Sequence, residues 1–262
     1  MANDQILLVE REDGIATVTI NRPEVRNAMN YEMLLLIPKV MDELDRDESV
    51  RVIVLRGAGE EAFAAGADIK EFQERRSTAE LAQHYNEVSE RAMASIEAVK
   101  KPTIAMIYGF AMGGGTQTIA CCDLRFAAET AKFGIPAAKL GLAIGLGYAR
   151  RLTYLVGPAY AKEILFTART YSAAQAFEMG LVNRVVPAAE LADYTYGVAR
   201  DMLKNAPLSI QSAKQSVDIV LRNPSLEGVD GHALFGWIFD SEDFAEGTRA
   251  FVEKRRPVFQ GR

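Results

Sequence analysis

The stretch Gly109–Asp123, GFAMGGGTQTIACCD, places Gly113, Gly114 and Gly115 in a row, with the uncharged Gln117 two places further on. A β-rich run, TIAMIYGFA, leads into the glycines, and TQTIACC after them has helical character. A glycine-rich turn that feeds a helix exposes backbone N–H groups with no partner inside the helix, and such a turn stabilises negative charge. A plain tight turn accounts for three glycines equally well. The stretch Ala62–Phe72, AFAAGADIKEF, has a similar form. Asp68 and Glu71 stand there in the D-x-x-E spacing of a capping box. Capping does not explain why Ala64, Ala65, Gly66 and Ala67 are all so small. Two such turns could point one N–H each at a single carbonyl oxygen, forming an oxyanion hole in which each donor is worth roughly 10²–10³ in rate.

Other chemistries fit the sequence poorly. The two histidines, His84 and His232, lie outside any metal-ligand spacing, so neither a zinc site nor a Ser-His-Asp triad is expected. Cys121 and Cys122 are adjacent, a poor geometry for a disulfide, and are read as reduced and buried in a cytoplasmic protein. Gly145 and Gly147 start a dinucleotide-like G-x-G, but the next glycine position holds Arg150. The formal net charge of −5 gives no basic footprint for nucleic acid. The N-terminal MANDQILLVERED lacks a leader pattern, and no apolar run is long enough to predict a membrane span.

The surrounding elements must position the two turns. Ile6–Glu10 and Ile15–Asn21 flank a turn signal and read as a hairpin. Leu34, Ile37, Met41 and Leu44 recur at helical spacing, with Pro38 predicting a kink or a late helix start. VRVIVLRG, TIAMIYGFA, DLRFAAET and KFGIP read as strands, and LAQHYNEVSERAMASIEAVKKP as a long helix closed by Pro102. Alternating strands and helices predict an α/β core over residues 1–190. Four helices are expected over residues 191–262.

Taken together, FAAGADIKEF, GFAMGGGTQ, FGIPAAKLGL, EILFTARTYSAAQAFEMGLVNRVVP and GTRAFVEKRRPVF, with NRPEVRNAM near the start, resemble the crotonase superfamily, the enoyl-CoA hydratase/isomerases. The likeness runs in order along nearly the whole chain. It implies an α/β spiral of ββα units and a C-terminal helical region that packs subunits as a trimer or a dimer of trimers. It implies an acyl-CoA thioester as substrate, with coenzyme A as part of that substrate and no separate cofactor or metal. By the family pattern the thioester oxygen is held by the backbone N–H groups of Ala67 and Gly114. The adenine end of coenzyme A runs along Ala65 and near Ile69, and Phe251 and Lys254 match positions that reach the nucleotide of a neighbouring subunit.

The chain departs from the family at the acids. The hydratases carry one glutamate two residues after the glycine triplet and another just after the FG-x-P proline; here these positions hold Gln117 and Ala137. Glutamine can orient a water but has no proton to exchange near neutral pH. Each acid–base group contributes about 10²–10⁴-fold. The candidate substitutes are Glu71 and Tyr148. Three readings follow: enolate chemistry on an acyl-CoA with different proton-transfer groups, decarboxylation of a β-carboxyl acyl-CoA, or thioester binding with little catalysis. The C-terminal DSEDFAEGTRAFVEKRRPVF resembles the methylmalonyl-CoA decarboxylase branch, whose active-site histidine and tyrosine are here Ala67 and Ile144. RNA binding, a side role of some relatives, has no basic stripe to support it.

Overall fold

The computed structural model describes residues 6–262. The start of the N-terminal stretch read above as leaderless, residues 1–5, lies outside them. Strands β1 (Leu7–Glu12) and β2 (Ile15–Ile20) form the expected hairpin, turning at Asp13-Gly14. Helix α1 (Tyr31–Arg46) follows, then β3 (Val52–Gly57), β4 (Ala62–Ala64), α2 (Phe72–Arg75) and α3 (Ala79–Ala98). Next come β5 (Thr103–Ile107), β6 (Phe110–Met112), α4 (Gly114–Ala120), β7 (Leu124–Ala128), β8 (Lys132–Gly134) and α5 (Leu146–Thr167). The order closes with β9 (Thr170–Ser172), α6 (Ala173–Glu178), β10 (Arg184–Val186), α7 (Leu191–Leu203), α8 (Pro207–Arg222), α9 (Gly231–Phe235) and α10 (Glu242–Val252).

Two sheets carry these strands, one in the order β1-β2-β3-β5-β7-β10 and the other β4-β6-β8-β9. The repeat is visible in the alternation. β3, β5 and β7 each lie in the large sheet, and the strand after each (β4, β6, β8) lies in the small one. A helix follows every such pair, and equivalent strands stack in parallel. Each ββα unit thus lies on the previous one as a turn of a spiral.

The central strands β3 and β5 of the large sheet are buried on both faces. Ile53, Leu55, Ala105 and Ile107 point into a core shared with Met33, Ile37 and Met41 of α1 and Ala92, Met93 and Ile96 of α3. Their neighbours Val52, Val54, Ile104 and Met106 point the other way, against Leu191 and Ala199 of α7. That explains the nearly continuous apolar runs of these strands.

Three expectations need correction. Helix α1 starts at Tyr31 and runs through Pro38 without a break, capped by the Asn30 side chain on the Met33 N–H at 3.0 Å. Burial of Met33, Leu34, Ile37, Met41 and Leu44 outweighs the ~3 kcal/mol that an internal proline costs. Asp68 and Glu71 form no capping box. Asp68 accepts from the Lys70 N–H at 3.2 Å and pairs with Arg22 at 2.9 Å, while Glu71 accepts from the Tyr31 N–H at 2.7 Å. Glu71 therefore caps a helix forty positions away in the chain. The stretch predicted as one helix near residues 226–241 is instead the short α9 followed by a 3-10 turn over Gly236–Asp240.

Candidate active site

Both glycine-containing turns lie where a small-sheet strand hands over to a helix. After β4, the chain makes a parallel bridge in which the Met29 N–H donates to Gly66 O at 2.8 Å and the Asp68 N–H to Met29 O at 2.9 Å. These bonds occupy the groups on either side of Ala67 and leave the Ala67 N–H facing away from Met29. After β6, Gly113 turns the chain at φ 49°, ψ −108°, which a side chain would oppose. Its own N–H donates to Gly134 O at 2.8 Å. Gly114 is then the first residue of α4, and its N–H has no acceptor among the described residues. Gly115 packs so closely on β4 that a Cβ there would strike the Ala64 carbonyl.

This contact brings the turns together. A Cβ on Gly114 would stand 3.5 Å from the Ala67 nitrogen and 3.6 Å from the carbonyl carbon of Gly66. The two N–H groups therefore border one small space at the mouth of α4. Tyr148 secures the arrangement by donating its O–H to Gly113 O at 2.9 Å.

The turns open on a cavity of about 690 Å³. Ala65, Ala67, Ile69, Gly114, Gln117 and Ala137 all line it, so the structure gathers six of the eight residues singled out above. Phe251 and Lys254 do not line it; Phe251 is 86% exposed at the end of α10, and Lys254 is exposed beside it. Of the candidate substitutes for the missing acids, Glu71 is outside the lining, engaged with α1. Tyr148 is inside it, with its proton committed to Gly113.

The sequence reading missed the polar wall opposite. Gln83, Asn86, Glu87 and Glu90 recur on α3 at i, i+3, i+4 and i+7, and all four line the cavity. That spacing was a visible signal of one shared face, but the partner element was not. Glu90 is bound at two points by Arg151, whose side chain is 2% exposed, at 3.0 and 2.6 Å. Arg151 also holds Glu97 at 2.8 Å. Arg76, at the end of α2, also lines the cavity. Its guanidinium carbon lies 3.8 Å from the Tyr85 ring centre and 4.6 Å from that of Phe72. Arg76 has no carboxylate partner among the described residues, and its buried Nε has no hydrogen-bond acceptor. Among the described residues there is no cluster of side chains suited to a metal ion. Among the described residues no helix is long and apolar enough to cross a membrane.

Residues 10–262 match the family model for enoyl-CoA hydratase/isomerase. The chain is 38% identical over 260 residues to a crotonyl-CoA hydratase of Syntrophomonas wolfei, covering 99% of both chains. It is 37% identical over 256 residues to a short-chain-enoyl-CoA hydratase of Clostridium acetobutylicum, covering 95% of both. Among solved structures, an enoyl-CoA hydratase/carnithine racemase from Magnetospirillum magneticum superposes with a TM-score of 0.94 at 36% identity, covering 98% of this chain and 96% of the other. The chain belongs to the enoyl-CoA hydratase/isomerase family. It has the crotonase fold and is an acyl-CoA enzyme of that type.

Proposed function

We propose that the protein acts on a short-chain enoyl-CoA through a thioester enolate, with the oxygen of the thioester held between the N–H groups of Ala67 and Gly114. The observation that carries this reading is the pair of backbone donors, both without acceptors among the described residues, that border one space on the cavity wall. Backbone donors held in a packed scaffold need no reorganisation as charge develops on the oxygen. Gln117, on the first turns of α4, orients a water or the acyl group; Ala137 contributes wall and no proton. Coenzyme A enters along Ala65 and Ile69 as part of the substrate, and no further cofactor or metal is required.

In this reading the core over residues 1–190 holds the thioester, and the helices over 191–262 pack copies into a trimer or hexamer. Exposed Trp237, Phe239, Phe244, Phe251, Val252 and Val258 support that packing, since large apolar residues clustered at a surface mark contact sites. Phe251 and Lys254 then serve the nucleotide bound by a neighbouring copy. We place the protein in the cytoplasm, with no nucleic-acid or membrane partner.

The test is incubation with crotonyl-CoA in deuterated water, followed by mass spectrometry for hydration and for deuterium at C2. Turnover that disappears in Gly114→Pro, which removes one donor, is the expected result. Full activity in that variant sinks the assignment.

Arg76 favours a second reading, decarboxylation. A guanidinium on the cavity wall with no carboxylate partner among the described residues suits a carboxylate on the substrate. Release of carbon dioxide from a β-carboxyl thioester passes the C–C bonding pair to the same enolate, and no base is needed. Turnover of malonyl-type thioesters in preference to crotonyl-CoA, lost in Arg76→Met, distinguishes this reading.

A further inference from the structure

Five titratable residues line the cavity: Arg76, Tyr85, Glu87, Glu90 and Tyr148. Arg76 carries a guanidinium, which offers donors and no acceptor. Burial pushes both tyrosines up, and the proton of Tyr148 is committed to Gly113. Glu87 is exposed and accepts from Gln83 at 3.0 Å. Glu90 differs from all of these. Its carboxylate is held at both oxygens by the buried Arg151, which fixes its orientation. It also lies against the first turn of α5, where the helix dipole favours an anion. Space for it exists because residue 147 is glycine: a Cβ there would stand 2.5 Å from Glu90 Oε2 and 2.6 Å from Cδ. One turn further along α3, the Met93 sulfur lies 3.7 Å from Thr118 Oγ1, so this helix runs beside the one that carries Gln117.

We propose that Glu90 is the proton-transfer residue of this site, standing in for the two glutamates replaced by Gln117 and Ala137. The proposal rests on the hydratase reading above. Water oxygen bonds to C3 of the enoyl thioester and gives its proton to the Glu90 carboxylate. The C2–C3 π pair moves to form the enolate, whose oxygen is held by Ala67 and Gly114. Glu90 then passes the proton to C2 and returns to its carboxylate form. The net change is H on C2 and OH on C3.

The experiment follows crotonyl-CoA hydration and C2 deuterium in the wild type, Glu90→Gln, Gly147→Ala and Glu97→Gln, with crotonyl-CoA binding measured in parallel. Gly147→Ala displaces the Glu90 carboxylate with its chemistry intact, so it reads the same step if Glu90→Gln fails to fold. Glu97→Gln removes the other carboxylate on Arg151, outside the cavity. The expected result is a fall of about 10²-fold or more in Glu90→Gln and in Gly147→Ala, with binding kept and Glu97→Gln active. Wild-type rates in either Glu90→Gln or Gly147→Ala overturn the proposal alone. A wild-type protein that binds crotonyl-CoA but neither hydrates it nor exchanges C2 overturns the hydratase reading and this proposal with it.

Discussion

The amide nitrogen of Ala67 lies 3.5 Å from the point where a side chain on Gly114 would begin, although the two residues belong to successive ββα units. Their meeting depends on the parallel stacking of β4 on β6 and on the absence of a side chain at Gly115. Gly114→Ala places a methyl group in the space bordered by both donors, at ordinary contact distance from its neighbours. The expected outcome is an unchanged thermal midpoint with a drop of roughly 10²–10³-fold in turnover. Thermal unfolding and steady-state kinetics on the same preparation check it; undiminished turnover removes the oxyanion assignment.

Gly115→Ala acts on stability instead. The added methyl meets the Ala64 carbonyl, a backbone group that cannot rotate away. Overpacking of this kind costs about 1–3 kcal/mol. Denaturant unfolding should show that loss, together with reduced turnover, because α4 must shift relative to β4. A variant as stable as the wild type would show that the α4–β4 contact is looser than described.

Gln117→Glu supplies a carboxylate on the cavity wall, at the position where the crotonase resemblance implies one. Hydration of crotonyl-CoA is expected to rise, by up to about 10²-fold if Gln117 faces the reacting water. No gain, with thioester binding retained, would place Gln117 away from that water.

Alkaline pH should weaken the fold. Burial pushes the Cys122 thiol up from 9.0 to about 12, and the Cys121 thiol moves the same way. A raised folded-state pKa favours the native state fully below the unfolded value, and that advantage is lost as pH rises from about 9 to about 12. Unfolding midpoints measured from neutral to about pH 10 should fall. The decline should flatten in the Cys121→Ala/Cys122→Ala double variant; an equal slope there assigns the effect to other groups.

Much of the site was legible in the sequence because its key parts are local. A strand, a run of small residues and a helix lie within a dozen positions at both Ala62–Phe72 and Gly109–Cys121. Gln117 and Ala137, the two positions read from the resemblance as replacing glutamates, both line the cavity. The remaining features depend on contacts between distant positions. Glu90 and Arg151 are 61 residues apart, and neither position alone reveals a partner. Gly147 read as a fragment of a failed dinucleotide motif, whereas it leaves room for a carboxylate from another helix. Glu71 fitted a local cap by spacing, yet it caps α1. Pro38 signalled a break that the buried face of α1 overrides.

On the proposed reading, reliance on main-chain donors at Ala67 and Gly114 shapes how this site can change over generations. A side-chain donor is erased by nearly any substitution, but an amide N–H survives every exchange except one to proline. As long as Gly113, Gly114 and Gly115 stay glycine, mutation can rewrite the rest of the cavity lining, acids included, without removing either donor. A scaffold with that property can lose one reaction and acquire another without first losing its hold on the thioester.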